Sequence, residues 1–399
     1  MNTSIGGKMW IFGVGALSLS QVGLAQSLNP NIGLVLSGFY KSEDSALSER
    51  ESGVGLGHTE LSIESAIDSH FQGRLTAALE TSHGDTELEL EEAYVDTLGL
   101  AAGTTVRFGR FFSDIGYLNA KHSHSDAFVE RPTVYRAFMG DHYFDDGLRI
   151  ESVLPTPFYW HISAEAFDGG QLTDKSSDDT IGVYALTTRW GGDVGNEHSW
   201  QVGFSYLHNR SSGENAFELA HAEEEHEHEE EYEHEEEHEH EEELDDHSGH
   251  SHQAQYHAKH NYVVHGVWKW APQGNAKNQQ LTVSGEYFLL DELGEAELSK
   301  EQHKGWYSSL VYRFHPQWAA GVRYGDLSVT AIEEEHDGEW LFDDQSLRET
   351  DLMLSWSPSH FSTLRLQYTW QDSDDLDDAD DALTLQYVMS LGAHNAHSF

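Results

Sequence analysis

The sequence predicts an all-β chain, an antiparallel transmembrane β-barrel of about sixteen strands with short periplasmic turns and long external loops. Three observations predict it. Segment after segment alternates apolar and polar residues with period two. Most segments run for about 8 to 12 residues, the length that crosses a bilayer as a tilted strand. The connections between them are short and long by turns.

Lys8, the apolar run Met9 to Leu24 and the small-x-small site Gly23-Leu24-Ala25 read as a secretory signal over residues 1–25, leaving residues 26–399 for the barrel. No later stretch is apolar for about 18 residues, so no membrane helix is expected. There is no cysteine; metal binding falls to His, Asp and Glu.

The expected strands are Asn31 to Tyr40, Gly57 to Ile67, Phe71 to Thr81, Leu88 to Leu98, Thr104 to Phe111, Gly147 to Leu154, Phe158 to Phe167 and Ile181 to Trp190. The second half continues with Ser199 to Asn209, Lys259 to Trp270, Gln280 to Leu290, Gly305 to Phe314, Trp318 to Val329, Leu347 to Ser357, Phe361 to Gln371 and Ala382 to Leu391. Phe158 to Phe167 shows the logic: Phe158, Trp160, Ile162, Ala164 and Ala166 share one face, and Tyr159, His161, Ser163 and Glu165 the other. Asp68 to His70, Pro155 to Pro157 and His315 to Gln317 are short links, whereas Lys41 to Leu56, Ser82 to Glu87, Phe112 to Asp146, Arg210 to Ala258 and Thr330 to Ser346 are long ones. Tryptophans near strand ends, such as Trp190, Trp200, Trp268, Trp318, Trp356 and Trp370, suit girdles at the membrane interfaces. Charged strand residues (Arg74, Glu80, Arg107, Glu165, Lys269, Glu286, Arg313, Arg323, Arg365) are expected to line a wet lumen, because a charge facing lipid costs about 2–4 kcal/mol at the midplane.

Within the long loop 210–258 lies a low-complexity tract, His221 to His252, with nine His, seventeen Asp plus Glu and no Lys or Arg. It cannot bury an apolar face and is expected in water. Its imidazoles, His221, His226, His228, His234, His238, His240, His247, His250 and His252, stand among carboxylates, the donors that zinc and similar divalent ions prefer. Weak, reversible metal binding, lost below about pH 6 as the imidazoles protonate, is the expectation, with no cofactor required. An inert acidic loop is the alternative. His234-Glu235-Glu236-Glu237-His238 matches a zinc-protease motif, but a tract of two residue types produces that by chance; with no nucleophile elbow or phosphate loop elsewhere, the chain reads as no enzyme. The net charge is −48, and about −31 without the tract's acids, which excludes nucleic acid as a partner and favours cations.

The architecture, the alternating last strand and the terminal Phe399 resemble the bacterial outer-membrane porins with sixteen strands. More narrowly, the stretch Gly109 to Gly140 and the ending SLGAHNAHSF are similar to porin-like outer-membrane proteins with His-rich loops associated with zinc uptake. The resemblance implies the outer membrane, lipid contact, a homotrimer and a third external loop, here residues 112–146, folded inward as a constriction. His122, His124, Asp126, Glu130, Arg131 and Arg136 are its expected pore residues, with Asp141, His142, Asp145 and Asp146 beside them. His122-x-His124-x-Asp126 puts three potential metal ligands on one side of an extended segment. The expected function is passive uptake of cations or small solutes, divalent metal being concentrated by the His-rich loop. A general or sugar-type porin with a non-functional acidic loop, and a closed barrel serving as a metal-binding or adhesive surface protein, are the alternatives.

Overall fold

A computed structural model describes residues 30–82, 85–172, 181–210, 254–293, 301–336, 339–373 and 380–392. The segment expected to be a signal, residues 1–25, the tract His221 to His252 with its protease-like motif, and Phe399 lie outside the described residues. The first half forms β1 (Asn31–Lys41), β2 (Gly53–Leu56), β3 (Thr59–Ala66), β4 (Phe71–Ser82), β5 (Asp85–Thr97), β6 (Thr104–Phe112), α1 (Thr133–Met139), β7 (Phe144–Val153), β8 (Tyr159–Phe167) and β9 (Val183–Val194). The second forms β10 (His198–Asn209), β11 (His260–Trp270), β12 (Gln280–Asp291), β13 (Gln302–His315), β14 (Trp318–His336), β15 (Glu339–Ser359), β16 (Ser362–Asp372) and β17 (Ala382–Gly392). Neighbours pair antiparallel around the ring, and β1 against β17, from Gly33↔Gly392 to Lys41↔Thr384, closes it. Because β2 and β3 both pair with β1, they are two parts of one stave. The barrel therefore has sixteen staves.

Which face is greasy decides the environment. In β8, Ile162 is exposed while His161, Ser163 and Glu165 are buried, and this inversion recurs around the ring. Leu354, Leu366 and Leu385 lie level in register and all point outward, each about 40% exposed (41%, 43% and 41%). A water-soluble sheet buries such residues; a barrel in lipid turns them out and keeps polar groups inside. At the short-turn end Trp160↔Trp190, Trp200↔Trp268 and Trp318↔Trp356 are cross-strand pairs, forming one girdle. Tyr40, Tyr184, Tyr287, Trp306 and Trp370 mark the other. The chain crosses the outer membrane on strands. Leu366→Arg is expected to cost about 2–4 kcal/mol in urea unfolding from lipid vesicles, and Leu366→Phe almost nothing; equal costs would place this row outside the hydrocarbon.

Two loops expected from the sequence are ladder instead. Thr330 to Ser346 is largely hydrogen-bonded hairpin, with pairs from Thr330↔Asp344 to His336↔Glu339, and Ser82 pairs with Asp85. Apolar alternation ends where lipid ends, but the backbone ladder continues into water without it, as Thr330 Oγ1 donating to Asp344 at 3.1 Å illustrates. Asp145 and Asp146, expected in the constriction loop, are instead at the start of β7, where Asp146 pairs with Arg110 at 2.9 Å.

Candidate functional site

Residues 113–143, between β6 and β7, fold into the lumen. Pro132 presets the backbone for α1, and Gly140, in the left-handed region at φ 51°, ends it. All seven helix residues are buried. Phe138 lies against Phe288 and His303, and Tyr135 meets Phe288 edge-on at 5.2 Å. Inward residues at the long-loop ends of the staves, among them Val183, Leu207, Leu290, Val329 and Leu347, complete this apolar packing. The external half of the lumen is thus filled by the loop. Tyr256, just past the His-rich tract, caps it by donating its N–H to Ala137 O at 3.1 Å.

Polar bonds fix the loop to walls on opposite sides. Asp114 pairs with Arg189 at 2.7 Å, and Glu286 accepts the Tyr117 N–H and the Tyr135 hydroxyl at 2.7 and 2.9 Å. Across the bore Lys41 and Arg136 hold Glu130, Arg136 also binds Glu349, and Arg323 donates to Glu130 O at 2.8 Å. Arg131 closes on Asp126 at 3.0 Å and on the Leu118 and Lys121 carbonyls. Of the expected pore residues, then, Glu130, Arg131 and Arg136 are buried scaffold in ion pairs rather than an open charged ring. His122, His124 and Asp126 line a cavity.

Burial would raise the carboxyls of Asp114 and Glu130, but Arg189 and Arg149 around the first, and Lys41 and Arg136 around the second, outweigh it and hold both down to about 2. Depressed folded-state values mean that the stabilisation is present above the unfolded range, about 4, and lost as pH falls through about 2. Single-channel gating is expected to be steady from pH 7 to 5, with loop release between about pH 4 and 2; release already near pH 6 would contradict this anchoring.

The cavity, about 620 Å³, occupies the half of the lumen next to the short turns, where Asn31, Gln280, Arg313 and Ala319 line it. Its charges are segregated. Glu60 and Glu64 of β3 and Glu92 of β5 line one side; Lys269 of β11 and Arg313 of β13, joined by the loop's Lys121, line the other. These strands are separated by about half the ring. Burial and Lys269 push the Lys121 ammonium down to about 7, so it is partly charged at neutral pH. Arg74, Arg107 and Arg323 also line the cavity but are ion-paired with Glu92, Asp96 and Asp351.

On the acidic side the loop's imidazoles meet the wall. His124 Nδ1 lies 2.7 Å from Glu60 Oε1, and His122 Nδ1 lies 3.1 Å from Glu60 Oε2. His122 Nε2 is 3.2 Å from Glu92, and His58 Nε2 is 3.3 Å from Glu60 and 3.1 Å from Glu91. Burial opposes protonation of His122, but Glu60 and Glu92 outweigh it and push the imidazole up to about 10. Two triads, Glu60–His122–His124 and His58–Glu60–Glu91, have ligand atoms all within 4.8 Å of one another. Sequence spacing grouped His122, His124 and Asp126; in the structure Arg131 pairs with Asp126, and the carboxylate beside the two imidazoles is Glu60, from a distant strand. His58 and Glu60 carried one usable signal, a His and an acidic residue at the phase opposite to Leu61 and Ile63, whereas the adjacent Glu91 and Glu92 cannot both fit an alternating pattern.

No protein-family model matches the sequence. A protein of Aquifex aeolicus, itself uncharacterized, is 26% identical over 380 residues, which cover 90% of this chain and 72% of its own. Among solved structures, OmpF of Salmonella typhi in complex with daunomycin superposes with a TM-score of 0.54 at 8% identity, over 91% of this chain and 97% of its own. The fold is that of the sixteen-stranded outer-membrane porins. The anion-selective porin of Comamonas acidovorans (TM-score 0.53, 9% identity, 91% and 98% covered) and the outer-membrane channel DcaP of Acinetobacter baumannii (0.51, 10%, 91% and 97%) share it. At these identities the likeness concerns the porin fold and not the solute.

Proposed function

We propose that this chain is an outer-membrane channel for passive uptake of cations, with divalent metal, zinc foremost, as the favoured solute. One observation carries the reading: two histidines of the constriction loop and an acidic residue of the wall, Glu60, converge on the cavity. Imidazole with carboxylate suits zinc better than calcium or magnesium, which take oxygen ligands. The His-rich tract His221 to His252 concentrates the same ions outside, and passive flux carries them inward. Homotrimeric assembly, as in the trimer form of OmpT of Vibrio cholerae (TM-score 0.52, 7% identity), belongs to this reading. The test is zinc influx into vesicles that enclose a zinc-sensitive dye. Influx at micromolar external zinc that slows on deletion of residues 221–252 is expected. Influx of a neutral sugar with none of zinc would favour a general porin, and influx of neither would favour a closed surface barrel.

A further inference from the structure

Two irregularities in the wall sit behind the metal-ligand triads. Between β4 and β5 the register shifts after Thr76↔Glu92 to Ala77↔Leu90, leaving Glu91 without an opposite residue. This β-bulge turns two successive carboxylates, Glu91 and Glu92, inward, which regular alternation forbids; they are 1% and 5% exposed. Against β1 the register shifts by one residue again, from Gly38↔Leu56 in β2 to Val35↔Glu60 in β3. That second bulge brings residues 57–60 inside together, His58 and Glu60 among them. Bulges re-aim side chains at functional sites, and both of these aim at the same spot. There Glu91 Oε2 is buried with no hydrogen-bond partner among the described residues, 3.8 Å from the His122 Nδ1 that Glu60 holds at 3.1 Å.

The order of these groups along the barrel gives the arrangement a direction. β5 runs from the external end to the short-turn end, with Leu88 and Leu90 outside, Glu89 half-buried between them, then Glu91, then Glu92 at the cavity. Alternate strand residues are about 7 Å apart. The His58–Glu60–Glu91 triad therefore lies above the Glu60–His122–His124 triad, and Glu60 belongs to both. Lys269 and Arg313 line the opposite wall, Arg74 and Arg107 on this wall are paired with Glu92 and Asp96, and the external lumen beside α1 is apolar.

We propose that a divalent metal ion crosses the constriction along the β3–β5 wall by ligand exchange, from Glu89 to the His58–Glu60–Glu91 station, then to the Glu60–His122–His124 station and into the cavity at Glu92 and Glu64. This deepens, and rests on, the channel reading. Glu60 is the ligand that never has to be released during the transfer, so the ion is not stripped between stations. Three ligands at each station hold a zinc ion without sealing its coordination, and several weak sites in series permit release.

The experiment measures influx of Zn²⁺ alone into vesicles containing the full-length chain and its variants. Heat-modifiability on gels shows that each barrel has folded. Glu60→Gln is expected to slow influx by about tenfold or more, as is typical when a metal site loses a supporting group. Glu91→Gln and His124→Ala each remove one station and slow it less, and Glu60→Asp restores part of the rate. Asp372→Asn, at the external rim, leaves it unchanged. Folded Glu60→Gln and Glu91→Gln chains that pass zinc at the wild-type rate would overturn the relay while leaving the channel reading intact. A wild-type chain that passes no zinc would end both.

Discussion

Arg136→Ala is expected to detach the constriction loop, raising single-channel conductance several-fold and costing about 3–5 kcal/mol of unfolding free energy, the usual penalty when one partner of a buried ion pair is removed. The guanidinium binds four acceptors: the Arg131 and Ala46 carbonyls, Glu130 and Glu349. Without it Glu349 keeps only the Gln371 amide at 2.8 Å and the more distant Arg323 at 3.6 Å. Arg136→Lys is expected to rescue little, since an ammonium is a point charge that cannot span a planar fork of acceptors. Urea titration and bilayer recording of both variants check this; an alanine variant with wild-type conductance would show that the loop is held by its apolar contacts.

Glu286→Ala is the second large effect, acting on the other flank. The carboxylate accepts hydrogen bonds from Tyr307 at 2.7 Å, Tyr135 at 2.9 Å and the Tyr117 backbone at 2.7 Å, all at a site 3% exposed. Its loss leaves three donors without that acceptor at about 1–3 kcal/mol each, less what water entering from the cavity recovers. Flickering conductance and a lower urea midpoint are the expected readouts. Glu286→Gln, which keeps an acceptor oxygen, is expected to show roughly half the loss. Tyr135 and Arg136 are adjacent on α1, so the double variant is expected to cost less than the two single ones together. Additive costs would mean that the two flanks are held independently.

The staves were legible because lipid imposes a strict rule on each one. Phe158 to Phe167 had to present one greasy face, and its structure does so. The rule lapses outside the membrane, which is why Thr330 to Ser346 reads as loop and folds as hairpin. The inward third loop followed from a resemblance, and His122 with His124 followed from spacing. Which carboxylate meets them did not. Glu60 and Glu91 reach them through three-dimensional register and two one-residue bulges, and nothing in a local window marks a bulge at Glu91-Glu92 apart from the break in the Glu-Leu alternation before it. Asp126 was as good a ligand by spacing as Glu60 is by geometry, until the buried Arg131 is placed beside it.

The measurement that bears most directly on the central claim is the reversal potential of the full-length chain in a planar bilayer under a potassium chloride gradient, repeated with micromolar zinc on the external side. A cation-selective potential that zinc shifts or blocks, and that Glu60→Gln makes insensitive to zinc, is the predicted result. An anion-selective potential indifferent to zinc would contradict the account, because the basic wall of Lys269 and Arg313 would then be setting the permeant ion.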